Sequence, residues 1–184
     1  MMARTTVSSV CFLLATVTVG TAAAVDRVAV GEAAPEFELK DQEDKTRSLD
    51  DLLKDGPVAL VFYRSASWCP HCRRHLIDLQ ANLEAITDSG VQLVAISPDK
   101  VKVLTKVADQ HEFTFPLLSD LKSKTIRAYG LHFKDGLPHP GTVVIDADGV
   151  VRAMLFREGY SKRHPVEELI DAAAELEFAA SQQQ

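Results

Sequence analysis

Two cysteines, Cys69 and Cys72, bracket Pro70 and His71 in the stretch SASWCPHCRRH, residues 65–75. A thiol is a poor nucleophile until it loses its proton, and the N-terminus of a helix favours the thiolate through unpaired N–H groups and partial positive charge. Pro70 suits the first position of a helix, where a missing N–H costs nothing. Cys72 then lies one turn beyond Cys69 on the same side, close enough for a disulfide. His71, when protonated, adds a second positive neighbour that tunes the thiolate. Trp68 stands just before the pair, either packing beside the motif or contacting a substrate. Three chemistries fit two thiols at this spacing: a redox pair, half of a zinc site, or a structural staple. Zinc wants four protein ligands, a second Cys-x-x-Cys is missing, and His75, His132 and His139 follow no ligand pattern. A disulfide closing so short a loop removes little unfolded-state entropy. The pattern favours redox chemistry, with no cofactor and no metal.

These residues need a scaffold, and the flanking sequence describes one. VALVFY, residues 58–63, is apolar on both parities and suits a strand buried on both faces. A helix is expected from the cysteines to about Thr87, with Leu76, Leu79, Leu83 and Ile86 as its buried stripe. VQLVAIS is a second buried strand, completing a βαβ unit. Ser97 should cap the next helix, with Pro98 in its first turn and Val101, Leu104, Val107 and Ala108 facing inward. Around this unit, Glu36 to Leu39 can form a short edge strand and Ser48 can cap a helical turn. FTFPLLSD is extended, and SKTIRAYG is a short helix closed by Gly130. Asp148-Gly149 turns a hairpin in GTVVIDADGVVRAMLF. Pro165 opens a terminal helix whose inner face is Val166, Leu169, Ile170, Ala173 and Leu176, and the tail AASQQQ should fray. The expectation is an α/β fold with a central mixed β-sheet flanked by helices.

The chain has 184 residues and a formal net charge of −6, with both signs interspersed. A nucleic-acid footprint would need a basic patch, and none stands out. Residues 1–24 carry one charge at Arg4, an apolar run from Val10 to Val19, and small residues at Ala22 and Ala24. This is the pattern of a cleaved signal peptide, and the run is shorter than the ~20 residues of a membrane span. Cys11 would leave with it, and residues 25–184 would be one domain in a secreted or periplasmic location, meeting the membrane only through an uncleaved signal.

VALVFYRSASWCPHC, FTFPLLSDLKSKTIRAYGL and PGTVVIDADGVVR together resemble the thioredoxin-fold superfamily. Within it they are similar to the alkyl hydroperoxide reductase/thiol-specific antioxidant branch, the peroxiredoxin-like redoxins, over about Val30 to Ala173. That resemblance implies a thioredoxin-like fold and a peroxidatic cysteine at Cys69. The family places proline seven residues before that cysteine and threonine or serine three before it. Phe62 and Ala66 occupy those positions here, and Pro140 stands where the family has an arginine that holds the peroxide. Arg64, Ser65 and Ser67 are the nearby groups that could substitute.

The same departures resemble thioredoxin-like disulfide oxidoreductases, which carry the Trp-Cys-x-x-Cys motif seen at Trp68 to Cys72. That likeness implies a cis-proline at Pro140 which, with Thr142, shapes a thiol-docking edge. The expected activity is an antioxidant thiol oxidoreductase in which Cys69 attacks and Cys72 resolves. It would act on a small hydroperoxide or exchange disulfides with a redox partner protein. The alternatives are a dedicated disulfide oxidoreductase without peroxidase activity, and a copper-handling protein of the same fold using Cys69, Cys72 and His139.

Overall fold

The computed structural model describes residues 27–157 and 161–181, with side chains to residue 176. The expected signal segment and Cys11 lie outside these residues. The elements run β1 (Glu38–Lys40), β2 (Thr46–Ser48), α1 (Leu49–Leu53), β3 (Val58–Phe62), α2 (Pro70–Ala81), α3 (Leu83–Asp88) and β4 (Gln92–Ser97). They continue with α4 (Val101–His111), β5 (Leu117–Ser119), α5 (Lys124–Ala128), β6 (Gly141–Ile145), β7 (Val151–Phe156) and α6 (Val166–Ser181).

One seven-stranded sheet has the order β2-β1-β5-β4-β3-β6-β7. β4 pairs parallel with β3 and with β5, while β6 and β7 close one side antiparallel and β1 and β2 the other. The sheet is mixed and flanked by helices, as the sequence pattern predicts. All five residues of β3 are buried because it is central and covered on both faces. Its alternation sorts the two layers. Ala59, Val61 and Tyr63 point toward the cluster containing Leu76, Leu79, Ile86, Leu104 and Leu169, contributed by α2, α3, α4 and α6. Val58, Leu60 and Phe62 point the other way, toward Leu49, Leu52, Ile126 and Tyr129 from α1, α5 and the residue after it.

Four local expectations change. The helix after the cysteines breaks at Asn82, whose side-chain amide donates to the Asp78 carbonyl at 2.8 Å and so competes with the helical ladder. Ser97 does not cap α4. It ends β4 opposite Ser119, and the helix begins three residues later with Lys100 in the cap position. β2 is an additional edge strand, paired with β1 across a turn held by Asp41, whose carboxylate accepts from the Glu43 and Lys45 amides. α6 runs through Ser181, three residues into the tail expected to fray. The other capping expectations hold. Ser48 accepts from the Asp51 amide at 3.0 Å, and the β6–β7 turn places Gly149 at a φ of 78°.

Candidate active site

Cys69 is the N-cap of α2, and Pro70 occupies its first turn. The strand-to-helix junction therefore sets the geometry. β3 delivers the chain at the sheet's centre, residues 63–68 cross over, and the helix begins at the sulfur. Cys69 Sγ accepts the Cys72 amide at 3.4 Å, taking up one of the helix's unpaired N–H groups. Both cysteines are free thiols, and both are 0% exposed.

The crossover is held from beneath by Asp99. Its carboxylate accepts the Ser65 hydroxyl at 2.9 Å and the Ala66 amide at 3.0 Å. Ser65 Oγ in turn accepts the Ser67 amide at 3.1 Å. Burial pushes the Asp99 carboxyl up, against the lowering effect of those donors. The hydroxyl of Ser65, one of the groups that could replace the family's threonine, is thus committed to a carboxylate. Ala66, at the threonine's own position, has no hydroxyl, and its amide is committed as well. Arg64 is buried, with its guanidinium 5.7 Å from the centre of the exposed Phe133 ring.

The cation beside the pair comes from a distant part of the chain. Arg163, in the segment before α6, donates from Nη2 to Cys72 Sγ at 3.2 Å. His164 fixes the backbone next to it. Nδ1 lies 2.9 Å from the Pro165 carbonyl, which can only accept, so Nδ1 carries the proton. Nε2 of the neutral ring then accepts the Thr142 hydroxyl at 2.6 Å. Burial lowers the His164 pKa and favours that neutral form. His75 meets the His164 ring edge-on at 5.0 Å. His75 lies one turn beyond Cys72, and burial, with the nearby His164 and Arg163, lowers its pKa to about 3.

These surroundings divide the two thiols. Burial pushes the Cys69 thiol up, as does donating its proton toward Cys72. Burial would raise Cys72 too, but the Cys69 S–H, the Ser65 amide and the Arg163 charge outweigh it and hold Cys72 below the usual thiol value. Of the two thiols Cys72 is therefore the more readily ionised, and Cys69 the one that holds its proton more firmly.

The supporting residues read from the sequence separate into three groups. Trp68, Pro70 and His71 are exposed around the motif, Trp68 by half. His71 is exposed, and the Arg163 guanidinium donates to Cys72 and lowers its thiol pKa. Pro140 and Thr142 are buried, Thr142 completely. The peptide bond before Pro140 is trans, correcting the cis-proline expectation. The preceding segment enters β6 already extended, with the His139 amide on the Leu131 carbonyl at 2.6 Å and His132 bridged to Pro138, so the default trans bond fits. Thr142 supports His164 and does not line an open edge. Among the described residues no three His, Cys, Asp or Glu side chains gather as a metal site requires. His139 packs edge-on against Phe133 and Phe156. Sequence reasoning missed Asp99, Arg163 and His164. All three lie far from the motif along the chain, and only the sheet order brings them to it.

Comparisons with known proteins place the chain in a family. The AhpC/TSA family model matches residues 30–154. The chain belongs to the AhpC/TSA family. A putative peroxiredoxin of Mycobacterium tuberculosis is 33% identical over 68% of this chain and 83% of its own length. The thiol-disulfide oxidoreductase ResA of Geobacillus thermodenitrificans is 31% identical over 70% of each chain. Among solved structures, peroxidoxin BcpB of Mycobacterium tuberculosis superposes with a TM-score of 0.72 at 28% identity, covering 80% of this chain and 97% of its own. The AhpC/TSA chain described here is a thiol oxidoreductase with the thioredoxin-like fold of the peroxiredoxins.

Proposed function

We propose that this AhpC/TSA member is an exported enzyme that exchanges disulfides through Cys69 and Cys72. The observation that carries the reading is a pair of free thiols at the first turn of α2, with Cys72 the more readily ionised. Cys69 gives its proton to water as its sulfur attacks a substrate disulfide. One substrate thiolate leaves, and a mixed disulfide remains on Cys69. Cys72, as its thiolate, then attacks Cys69 Sγ, which releases the second thiolate and closes the Cys69–Cys72 bond. The substrate disulfide gains two electrons and the dithiol loses two. Ala66, with its amide held by Asp99, and Pro140 at the arginine position favour a disulfide over a peroxide as the electron acceptor.

Hydroperoxide reduction is the second reading, and the peroxiredoxin relatives favour it. There Cys69 would take the peroxide oxygen as a sulfenic acid, and Cys72 would condense with it, expelling hydroxide. Export rests on the residue pattern of the first 24 positions.

Reduction of a model protein disulfide, beside stopped-flow peroxide consumption, tests the activity. Cys69→Ser should abolish turnover, and Cys72→Ser should trap the mixed disulfide. A folded enzyme that forms no Cys69–Cys72 bond with either oxidant would overturn the proposal. Recovery of the secreted fraction, with N-terminal sequencing of the mature chain, tests export.

A further inference from the structure

We infer that Arg163 is the residue that makes Cys72 competent to resolve, by holding its sulfur as the thiolate in the mixed disulfide. The inference rests on the disulfide-exchange reading above and assigns a step within it. A resolving cysteine one turn inside a helix is ordinarily handicapped, because burial favours its unreactive thiol. Here a guanidinium donates directly to that sulfur at 3.2 Å.

Among the groups facing Cys72, which include the Arg64 and Ser65 amides, Arg163 is the cation that donates to its sulfur. From α2 come Cys69 and His75, and His75 is neutral down to about pH 3. From the end of β3 comes Tyr63, whose pKa burial raises far above neutrality, with the Asp99 carboxylate beyond it. From the segment before α6 come Arg163 and His164, the latter kept neutral by burial. Once Cys69 is bound to substrate it no longer donates a proton to Cys72. The Ser65 and Arg64 amides of the crossover and the Arg163 guanidinium are then what stabilise the charge.

The guanidinium is delivered by a braced segment. His164 is pinned to Thr142 on β6 at 2.6 Å, and Arg157 at the end of β7 reaches Glu168 on α6 at 2.5 Å. These contacts tie the segment that carries the arginine to β6 and α6. The step balances as follows. Cys72 S⁻ attacks Cys69 Sγ, the Cys69 to substrate S–S bond breaks, and the departing thiolate takes a proton from water. The substrate sulfur is reduced and Cys72 is oxidised.

An aromatic disulfide whose released thiolate is coloured, 5,5′-dithiobis(2-nitrobenzoate), separates the two steps in one stopped-flow trace. The first thiolate appears at a rate proportional to reagent and reports attack. The second appears at a rate independent of reagent and reports resolution. In Arg163→Met the second phase should slow by about tenfold at neutral pH, and its pH midpoint should rise by about one pH unit. Arg163→Lys should restore part of both.

A second phase with unchanged rate and midpoint in Arg163→Met overturns the inference. Absence of both phases in the wild-type protein instead overturns the disulfide-exchange reading on which it rests. Should Arg163→Met fail to fold, the same question is put to Cys69→Ser by following thiolate absorbance against pH. A Cys72 midpoint below the ordinary thiol value of about 8.5 supports the role, and one at or above it overturns it.

Discussion

The Thr142 hydroxyl donates to His164 Nε2 at 2.6 Å, joining the middle of the sheet to the segment that carries Arg163. Both partners are buried, Thr142 completely. Thr142→Val keeps the shape of the side chain and strands a ring nitrogen away from water. Leaving one such group unpaired costs about 1–3 kcal/mol. Chemical denaturation should show that loss with an unchanged denaturant slope. A variant as stable as the wild type would mean that His164 finds another donor.

The apolar and polar pattern of the sequence makes much of this scaffold legible. β3 announces itself because every residue is apolar, and the β6–β7 hairpin because Asp148-Gly149 separates two apolar runs. The motif's position at a strand-to-helix junction follows from Pro70, which tolerates only the first turn. The misses share a physical cause, since each depends on a side chain spent elsewhere. Ser97 looks like a cap until the β4–β5 pairing claims it, and Asn82 looks helical until its amide turns back to Asp78. The turn before β2 lacks glycine and is held by Asp41 instead. Arg163 and His164 are ordinary surface residues in sequence. Nothing local reveals that α6 returns across the sheet to place them at Cys72.

His75 should make the enzyme acid-sensitive. Its imidazole is nearly buried, and its pKa falls from 6.5 to about 3 in the fold. Between those values the unfolded chain binds a proton that the folded chain refuses. Its contribution is therefore fully present above pH 6.5 and is lost as pH falls toward 3. The slope is about 1.4 kcal/mol per pH unit well inside that window. His75→Leu should flatten the stability profile from pH 6.5 downward by that amount, read from urea unfolding at a series of pH values. An unaltered slope would place the acid sensitivity on another group.

Trp68 separates packing from recognition. Its ring is 50% exposed next to a fully buried sulfur. A residue in that position contributes little to the core, so Trp68→Ala should change unfolding free energy by only about 0.5–1 kcal/mol. As an aromatic anchor for an approaching thiol partner it should matter more, lowering kcat/KM with a protein disulfide by about tenfold. Activity toward a small disulfide should fall much less. Equal losses with both substrates would assign Trp68 to the integrity of the motif itself.

Asp99 governs how firmly the crossover holds Cys69 under cover. Its two oxygens take the Ser65 hydroxyl and the Ala66 amide, and the Ser97 side chain also stabilises its charge. An asparagine can accept through one oxygen only, so Asp99→Asn forfeits one bond while the shape remains. Alanine strands both donors in a buried crossover. Each stranded donor costs about 1–3 kcal/mol, which ranks alanine as the more damaging change. The motif should loosen in the same order, because the segment that covers the sulfur is the segment these bonds fix. Alkylation by iodoacetamide, followed by mass spectrometry at Cys69 under native conditions, should accelerate from wild type to Asn to Ala. If both variants alkylate at the wild-type rate while losing stability, the cover over Cys69 is set by the helix and its neighbours, and Asp99 serves the fold alone.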